Sequence, residues 1–377
     1  MSERIKVVFC TDGIFPHTVG GIQKHTRLLV EELAQMKVVD LYVIHQHHDK
    51  KVFDASLNVK EIGLQRGKQY WSYLYNEYRY SKQVYNELKK MPDAIVYAQG
   101  LSVWYNISKL KNKIIVNPHG LEFYQAITPR TKFKALRFAA IFNHLFEKAT
   151  KVVSLGGRLT NLLHKNIAGS EHKVVVLPNA INLPEKKFNR TRFENKPMQI
   201  LFVGRFAANK GINILMDAAQ QLNRSGYINE LQFHLVGKGP LFEHFTSTVK
   251  EPNIIYHGFA DDAALNKLYE DSDIFVLPTF FEGMPTVVLE AMGYSLPIIV
   301  TDTGATTEMV DDNNGYIINK ADVKSLVNAI VQFYQMDVAK KKQLADYSYK
   351  KVHDNFTWSV VAQKHYELFK TIAAGKT

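Results

Sequence analysis

Cysteine is almost absent from this 377-residue chain, and the one thiol, Cys10, excludes an internal disulfide and a zinc site built from cysteines. Metal motifs are lacking too. The fourteen histidines form no H-E-x-x-H and no His/Cys cluster, and no D-x-D pair follows an apolar run. The only histidine run, HQHHD at 45–49, has no carboxylate partner placed by local spacing and reads as a surface loop rather than a metal site. No apolar run approaches the roughly 18–20 residues of a membrane-spanning helix. The apolar part of MSERIKVVFC is too short for a signal-peptide core and reads as a first strand. The expectation is a cytoplasmic protein, soluble or peripheral on the cytoplasmic membrane face.

Long polar or low-complexity tracts are missing as well. A hydrophobic content of 46% against 22% charged residues is that of a globular protein, and the length suits two domains. Acidic charge is scarce in one half only. Residues 1–185 hold 26 Lys and Arg against 15 Asp and Glu, whereas residues 186–377 hold 21 of each, so the whole net charge of +11 falls on the first half. Such asymmetry points to an anionic partner for one domain: a membrane surface, a phosphorylated acceptor or a nucleic acid. The alternative is a solvated basic face that serves solubility. Residues 64–90 mix six basic residues with Trp71 and six tyrosines, which fits a lipid interface or a planar acceptor as well as an ordinary amphipathic helix.

What is present is alternation. Runs rich in Val, Ile and Phe at 5–9, 40–45, 94–98, 113–117, 151–155 and 173–178 recur at 199–204, 232–237, 253–258, 273–278, 297–302 and 315–319, with helical periods between them. The runs are continuous rather than alternating, as for parallel strands covered on both faces. The expected fold class is α/β: two doubly wound, Rossmann-like domains facing across a cleft. The polar stretch 178–198, with three prolines, is the linker candidate. A last helical pattern runs from Trp358 to Ala373.

Three glycine-containing loops follow strands. In FEGMPTVVLEAM, 281–292, Pro285 fits a first helical position, and the backbone N–H groups of Gly283, Met284 and Thr286 stand at a positive helix end suited to phosphate or sugar oxygens. Glu282 lies in the loop and Glu290 four residues beyond Thr286 on the same helical face; two carboxylates make poor phosphate ligands but good acceptors for diols. In VGRFAANKG, 203–211, Arg205 and Lys210 supply a planar fork and a compact charge that together neutralise a diphosphate without a metal. Alone, they are two solvated cations. In TVGGIQKHTRLL, Gly20 and Gly21 precede a helix but match neither a dinucleotide fingerprint nor a P-loop, and a tight turn without a ligand is the alternative. His119, in VNPHG, ends another strand on the side where such sheets bind ligands, although a lone histidine there is often structural.

Taken together, these motifs make the chain resemble the GT-B glycosyltransferases, and among them the retaining family 4. The match is fullest in VGRFAANKG, FHLVGKGP, the 254–310 stretch with its E-x7-E, and the closing FTW helix; GG at 20–21, NPHG at 117–120 and LPNAIN at 177–182 agree more loosely. The resemblance implies that Glu290 holds the nucleotide ribose, while Glu282 and the backbone at Gly283 and Met284, beside Pro285 and Thr286, hold the donor hexose. It implies that Arg205 and Lys210 bind the diphosphate, that Gly20 and Gly21 approach it from the N-terminal domain, and that His119 contacts the hexose near the reacting carbon. Phe259 and Ala260 would flank the base. The catalytic set is then His119, Glu282, Arg205 and Lys210, with no cofactor and no metal.

By the same resemblance the domains are 1–185 plus 358–377 on the acceptor side and 186–357 on the donor side. The partners are a nucleotide-sugar donor, UDP favoured over GDP on family frequency alone, and an anionic or lipid-linked glycan acceptor. An anionic membrane surface would meet the basic half, and no nucleic acid is expected. A nucleotide-sugar epimerase of the same fold is the alternative within the enzyme class; a basic nucleic-acid-binding protein is the alternative outside it.

Overall fold

The computed structural model describes residues 4–375, apart from 66, 68, 69, 71, 126–128, 168, 186, 189–192, 194 and 195, and not the side chains of 129–134 and 170. Trp71 therefore lies outside the described residues. The chain divides into two compact units, Met1–Asn179 with Trp358–Thr377, and Ala180–Thr357.

The first unit runs β1 (Ile5–Cys10), α1 (Gly21–Met36), β2 (Val39–His45), β3 (Lys60–Gly63), α2 (Tyr73–Leu88), β4 (Ile95–Gln99), β5 (Lys113–Asn117), α3 (Pro129–Lys148), β6 (Lys151–Ser154), α4 (Gly157–Asn166) and β7 (Val174–Val176). Its seven strands are ordered β3-β2-β1-β4-β5-β6-β7. Each pairing is parallel, as continuous apolar runs require. The strand order reverses direction between β1 and β4, so their carboxyl ends open the crevice where such sheets take ligands.

The second unit repeats the plan: β8 (Met198–Val203), α5 (Ile212–Leu222), β9 (Leu231–Val236), α6 (Phe242–Thr248), β10 (Ile254–Gly258), α7 (Asp262–Asp271), β11 (Ile274–Leu277), α8 (Thr286–Gly293), β12 (Ile298–Thr301), α9 (Thr306–Met309), β13 (Gly315–Ile318), α10 (Val323–Gln335) and α11 (Val338–Asn355). The order is β10-β9-β8-β11-β12-β13, again parallel, with the reversal between β8 and β11.

The chain then returns to the first unit as α12 (Trp358–Ala373), which packs on α1 and over β1 and β4. Its Val361, Phe369 and Ile372 are fully buried, and the Phe369 ring meets Phe9 and Tyr97 at 6.4 and 6.3 Å. Burying one such phenylalanine contributes roughly 1.5–3 kcal/mol, so this helix is part of the first core rather than a tail.

Two local expectations change. Strand β3, KEIG, carries too few apolar residues to stand out because it lies at the sheet edge with one face wet. HQHHD is only partly a surface loop: His45 is fully buried in β2 and bonds Glu61 at 3.3 Å, and His47 bonds Thr18 at 3.0 Å, while His48 is exposed beside Asp49.

Candidate active site

In the second unit the loops after β8 and β11 are strapped together at the reversal of strand order. Gly211 has φ +71°, and a Cβ there would lie 1.8 Å from the Pro278 carbonyl oxygen, so only glycine lets the two loops touch. The Asn209 carbonyl accepts from the Phe280 N–H at 2.8 Å and from Thr279 Oγ1 at 2.9 Å. On the other side Gly304, φ +55°, sits against the carbonyls of Glu282 and Gly283, and the Ala305 N–H donates to Gly283 at 2.8 Å. The Phe281–Pro285 segment is thus held on both flanks.

This strapping brings Lys210 and Glu282 together. Lys210 Nζ donates to Glu282 Oε1 at 2.5 Å, and Thr279 Oγ1, whose one proton is shared with the nearer Asn209 carbonyl, lies 3.2 Å from the same oxygen. A carboxylate held this way is oriented before any ligand arrives. Arg205, five residues earlier on the same loop, is exposed. Helix α8 starts one residue later than expected: Thr286 is its first residue and Pro285 its cap, with Met284 buried and Thr286 exposed. Glu290, one turn in, accepts from the Tyr269 phenol at 3.1 Å. Burial first, then the Glu290 charge, pushes that phenol well up in pKa, so it stays a donor. Phe259, 81% exposed, and Ala260 follow β10 on the same edge of the sheet.

In the first unit Gly20 caps α1 and Gly21 opens it, with nothing within 4 Å of a Cβ at Gly21. His119 follows β5 with φ +60°, a conformation that costs a non-glycine residue about 1–2 kcal/mol. Its N–H donates to Asn117 Oδ1 at 3.0 Å, and its Nε2 is hydrogen-bonded to Gln99 Oε1. The His25 ring stands edge-on to it at 5.1 Å. Burial pushes the His119 pKa down to about 3, so the ring is neutral.

The sequence reading missed Tyr269, Thr279, Gln99 and His25. Tyr269 and Gln99 meet their partners across 21 and 20 residues, and no local spacing announces that. Among the described residues no group of three or more His, Cys, Asp or Glu is placed to hold a metal ion.

Residues 19–185 match the family described as Glycosyltransferase Family 4, and residues 197–336 match glycosyl transferases group 1. The chain belongs to the GT-B glycosyltransferases. A putative colanic acid biosynthesis glycosyltransferase, WcaL, of Escherichia coli (strain K12) is 23% identical over 187 residues, 47% of this chain and 46% of that one. The UDP-Gal:alpha-D-GlcNAc-diphosphoundecaprenol alpha-1,3-galactosyltransferase of Escherichia coli is 24% identical over 236 residues, 58% of this chain and 59% of that one. The chain thus spans about half the length of these two curated relatives. In fold it is similar to a sucrose-phosphate synthase of Thermosynechococcus elongatus, with a TM-score of 0.81, 19% identity and coverage of 99% of this chain and 100% of that one. Within this GT-B frame the E-x7-E pair and the Gly-Arg loop lie at the reversal of the second sheet, and the GG turn lies at that of the first.

Proposed function

We propose that the chain is a retaining hexosyltransferase that moves a sugar from a UDP-hexose to an anionic or lipid-linked glycan in cell-surface polysaccharide or glycolipid synthesis. The observation that carries this reading is the Lys210–Glu282 pair on the loop of Arg205 and ahead of the α8 N-terminus, in a second unit that matches glycosyl transferases group 1. Arg205 and Lys210 neutralise the diphosphate and the charge that grows on it as the glycosidic bond breaks. Glu282 and the Gly283–Thr286 backbone orient the hexose, Glu290 takes the ribose diol, and Phe259 and Ala260 flank the base. Gly20, Gly21 and His119 are the first unit's contributions, His119 contacting the hexose. A cationic clamp supplies the leaving-group stabilisation that the chemistry needs, so no metal or cofactor enters the reading. Attack on the face from which the nucleotide departs retains the anomeric configuration, and the spacing rules of glycosidase carboxylates do not apply to Glu282 and Glu290.

UDP is favoured by the UDP-Gal named as donor of the galactosyltransferase relative, and a polysaccharide or lipid-linked acceptor by the colanic acid and the diphosphoundecaprenol in the names of the two relatives. The test is a melting panel of UDP, GDP and their hexoses. A ligand that binds only the folded state at a hundredfold excess over Kd stabilises by about 2.7 kcal/mol, a shift of about 5–10 °C for a unit of this size. UDP and at least one UDP-hexose are expected to give it, with slow UDP release from that donor. A shift with GDP alone would overturn the donor assignment. Conversion of the donor to another nucleotide sugar would establish the epimerase instead.

A further inference from the structure

The turn that presents His119 is tied to the last helix of the chain by a run of buried hydrogen bonds whose polarity is fixed from both ends. His365, on α12, has its Nδ1 2.8 Å from the Val361 carbonyl, which can only accept, so Nδ1 carries the proton. The neutral ring then offers Nε2 as an acceptor, and the Tyr97 O–H donates to it at 3.0 Å. Tyr97 Oη in turn accepts from Asn117 Nδ2 at 3.1 Å. That leaves Asn117 Oδ1 to accept the His119 N–H at 3.0 Å. Starting instead from the His119 N–H, a donor only, gives the same orientation of the Asn117 amide. Tyr97, Asn117 and His365 are all at least 99% buried, so a broken link leaves a polar group without water.

A second tie runs beside the first. Trp358, the opening residue of α12, packs its ring on His25 at 5.3 Å, and His25 packs on His119 at 5.1 Å. The left-handed backbone of His119 persists only where its surroundings over-determine it. Here α12 supplies both constraints.

We propose that Asn117, Tyr97 and His365 are positioning residues for His119, a relay by which helix α12 holds the ring at the place where it meets the donor hexose. The proposal rests on the reading of His119 as a donor-sugar contact. It adds that the geometry of that contact is set by residues that never touch the ligand.

The experiment compares Tyr97→Phe and His365→Leu with the wild-type chain, each checked for folding by circular dichroism, using UDP-glucose and UDP-galactose in turn and reading UDP release. The expected result is a fall in kcat of about tenfold to a hundredfold, with the melting shift by UDP itself unchanged and the extra shift from the hexose reduced. A merely structural role would lower the melting temperature and leave the turnover of the folded fraction and the hexose increment as they were. Asn117→Ala is expected to behave like Tyr97→Phe, and Asn117→Asp, which still accepts the His119 N–H, to recover part of the loss. Tyr97→Phe and His365→Leu act at different links, so if one does not fold the other decides. Folded variants within twofold of wild-type kcat overturn the relay. His119→Ala separates the two levels: if it too retains full turnover, the reading of His119 fails; if it alone is inactive, the relay fails while that reading stands.

Discussion

Arg205 and Lys210 leave the same loop but are held differently. Lys210 is bonded to Glu282 across the strapped loops, while Arg205 is exposed. On the proposed reading, a diphosphate arriving at the loop would meet one solvent-exposed planar fork and one ammonium already held by a carboxylate. If Arg205 binds the diphosphate as proposed, removing the fork would remove up to two charge-assisted bonds where negative charge grows, a loss of about 2.7–4 kcal/mol or a hundredfold to a thousandfold in kcat. Arg205→Ala is expected to lose the UDP-induced melting shift and UDP-hexose turnover together; a full-rate enzyme would end the assignment of the clamp. Tyr269→Phe tests the other carboxylate. It removes the 3.1 Å bond to Glu290 while leaving the ring in place, and it is expected to weaken UDP binding severalfold, read as a raised Kd by calorimetry with little change in melting temperature. Glu290 was legible in the sequence because its spacing from Thr286 places it on a helix face. The phenol that orients it was not, because α7 and α8 are joined only by the fold.

At the scale of elements, the strands were legible because burial on both faces leaves unbroken Val and Ile runs, and β3 was not because an edge strand needs no such run. The loops are where sequence and structure diverge in detail. VGRFAANKG reads as a cationic turn, but its shape depends on Gly211 lying 1.8 Å, at the Cβ position, from the Pro278 carbonyl. Gly211→Ala adds both a strained backbone and a clash with main chain, so it is expected to cost more than about 1 kcal/mol and to separate Lys210 from Glu282. The check is a lowered melting temperature together with a UDP-hexose turnover loss that exceeds the fraction unfolded.

Helix α12 makes a different demand, set by pH. His365 is buried with its pKa lowered from 6.5 to about 4 by desolvation, and His25 and His119 are pushed down beside it. A group whose folded pKa lies below its unfolded value binds fewer protons in the native state, so acid favours unfolding. The penalty is absent above about pH 6.5 and grows as pH falls toward 4, at about 1.4 kcal/mol per pH unit for each histidine. His365→Gln, which cannot be protonated, is expected to reduce this slope. The measurement is the melting temperature at pH 7 and pH 5: the wild-type chain should lose more on acidification than the variant does, and equal losses would refute it.

For the whole molecule the charge balance sets the association behaviour. The net +11 comes from residues 1–185, and helix α2 concentrates aromatic surface in the same unit: Tyr73, Tyr75 and Tyr78 are exposed, with Tyr70 just before them. Arg79 lies over the Tyr70 ring at 5.1 Å, Lys82 over Tyr105 at 5.7 Å, and Tyr73 stacks on Phe138 of α3 at 6.2 Å. No described helix is long and apolar enough to cross a membrane. A surface of amphipathic rings interleaved with cations fits the boundary of an anionic bilayer, where each Lys or Arg near the surface contributes about 1 kcal/mol and the rings sit at the headgroup level. That attraction is screened within about 10 Å at 0.1 M salt, which gives the prediction its signature. Vesicles containing phosphatidylserine should co-sediment the protein at low ionic strength and release it in high salt, while neutral phosphatidylcholine vesicles should not. Replacing Tyr73 and Tyr75 by Ala should weaken the binding at every salt concentration without changing the slope, and replacing Arg79 and Lys82 by Gln should lower the slope itself. If neither vesicle binds at low salt, the basic half serves an anionic acceptor or solubility instead, and the donor reading proposed for the second unit stands independently of that outcome.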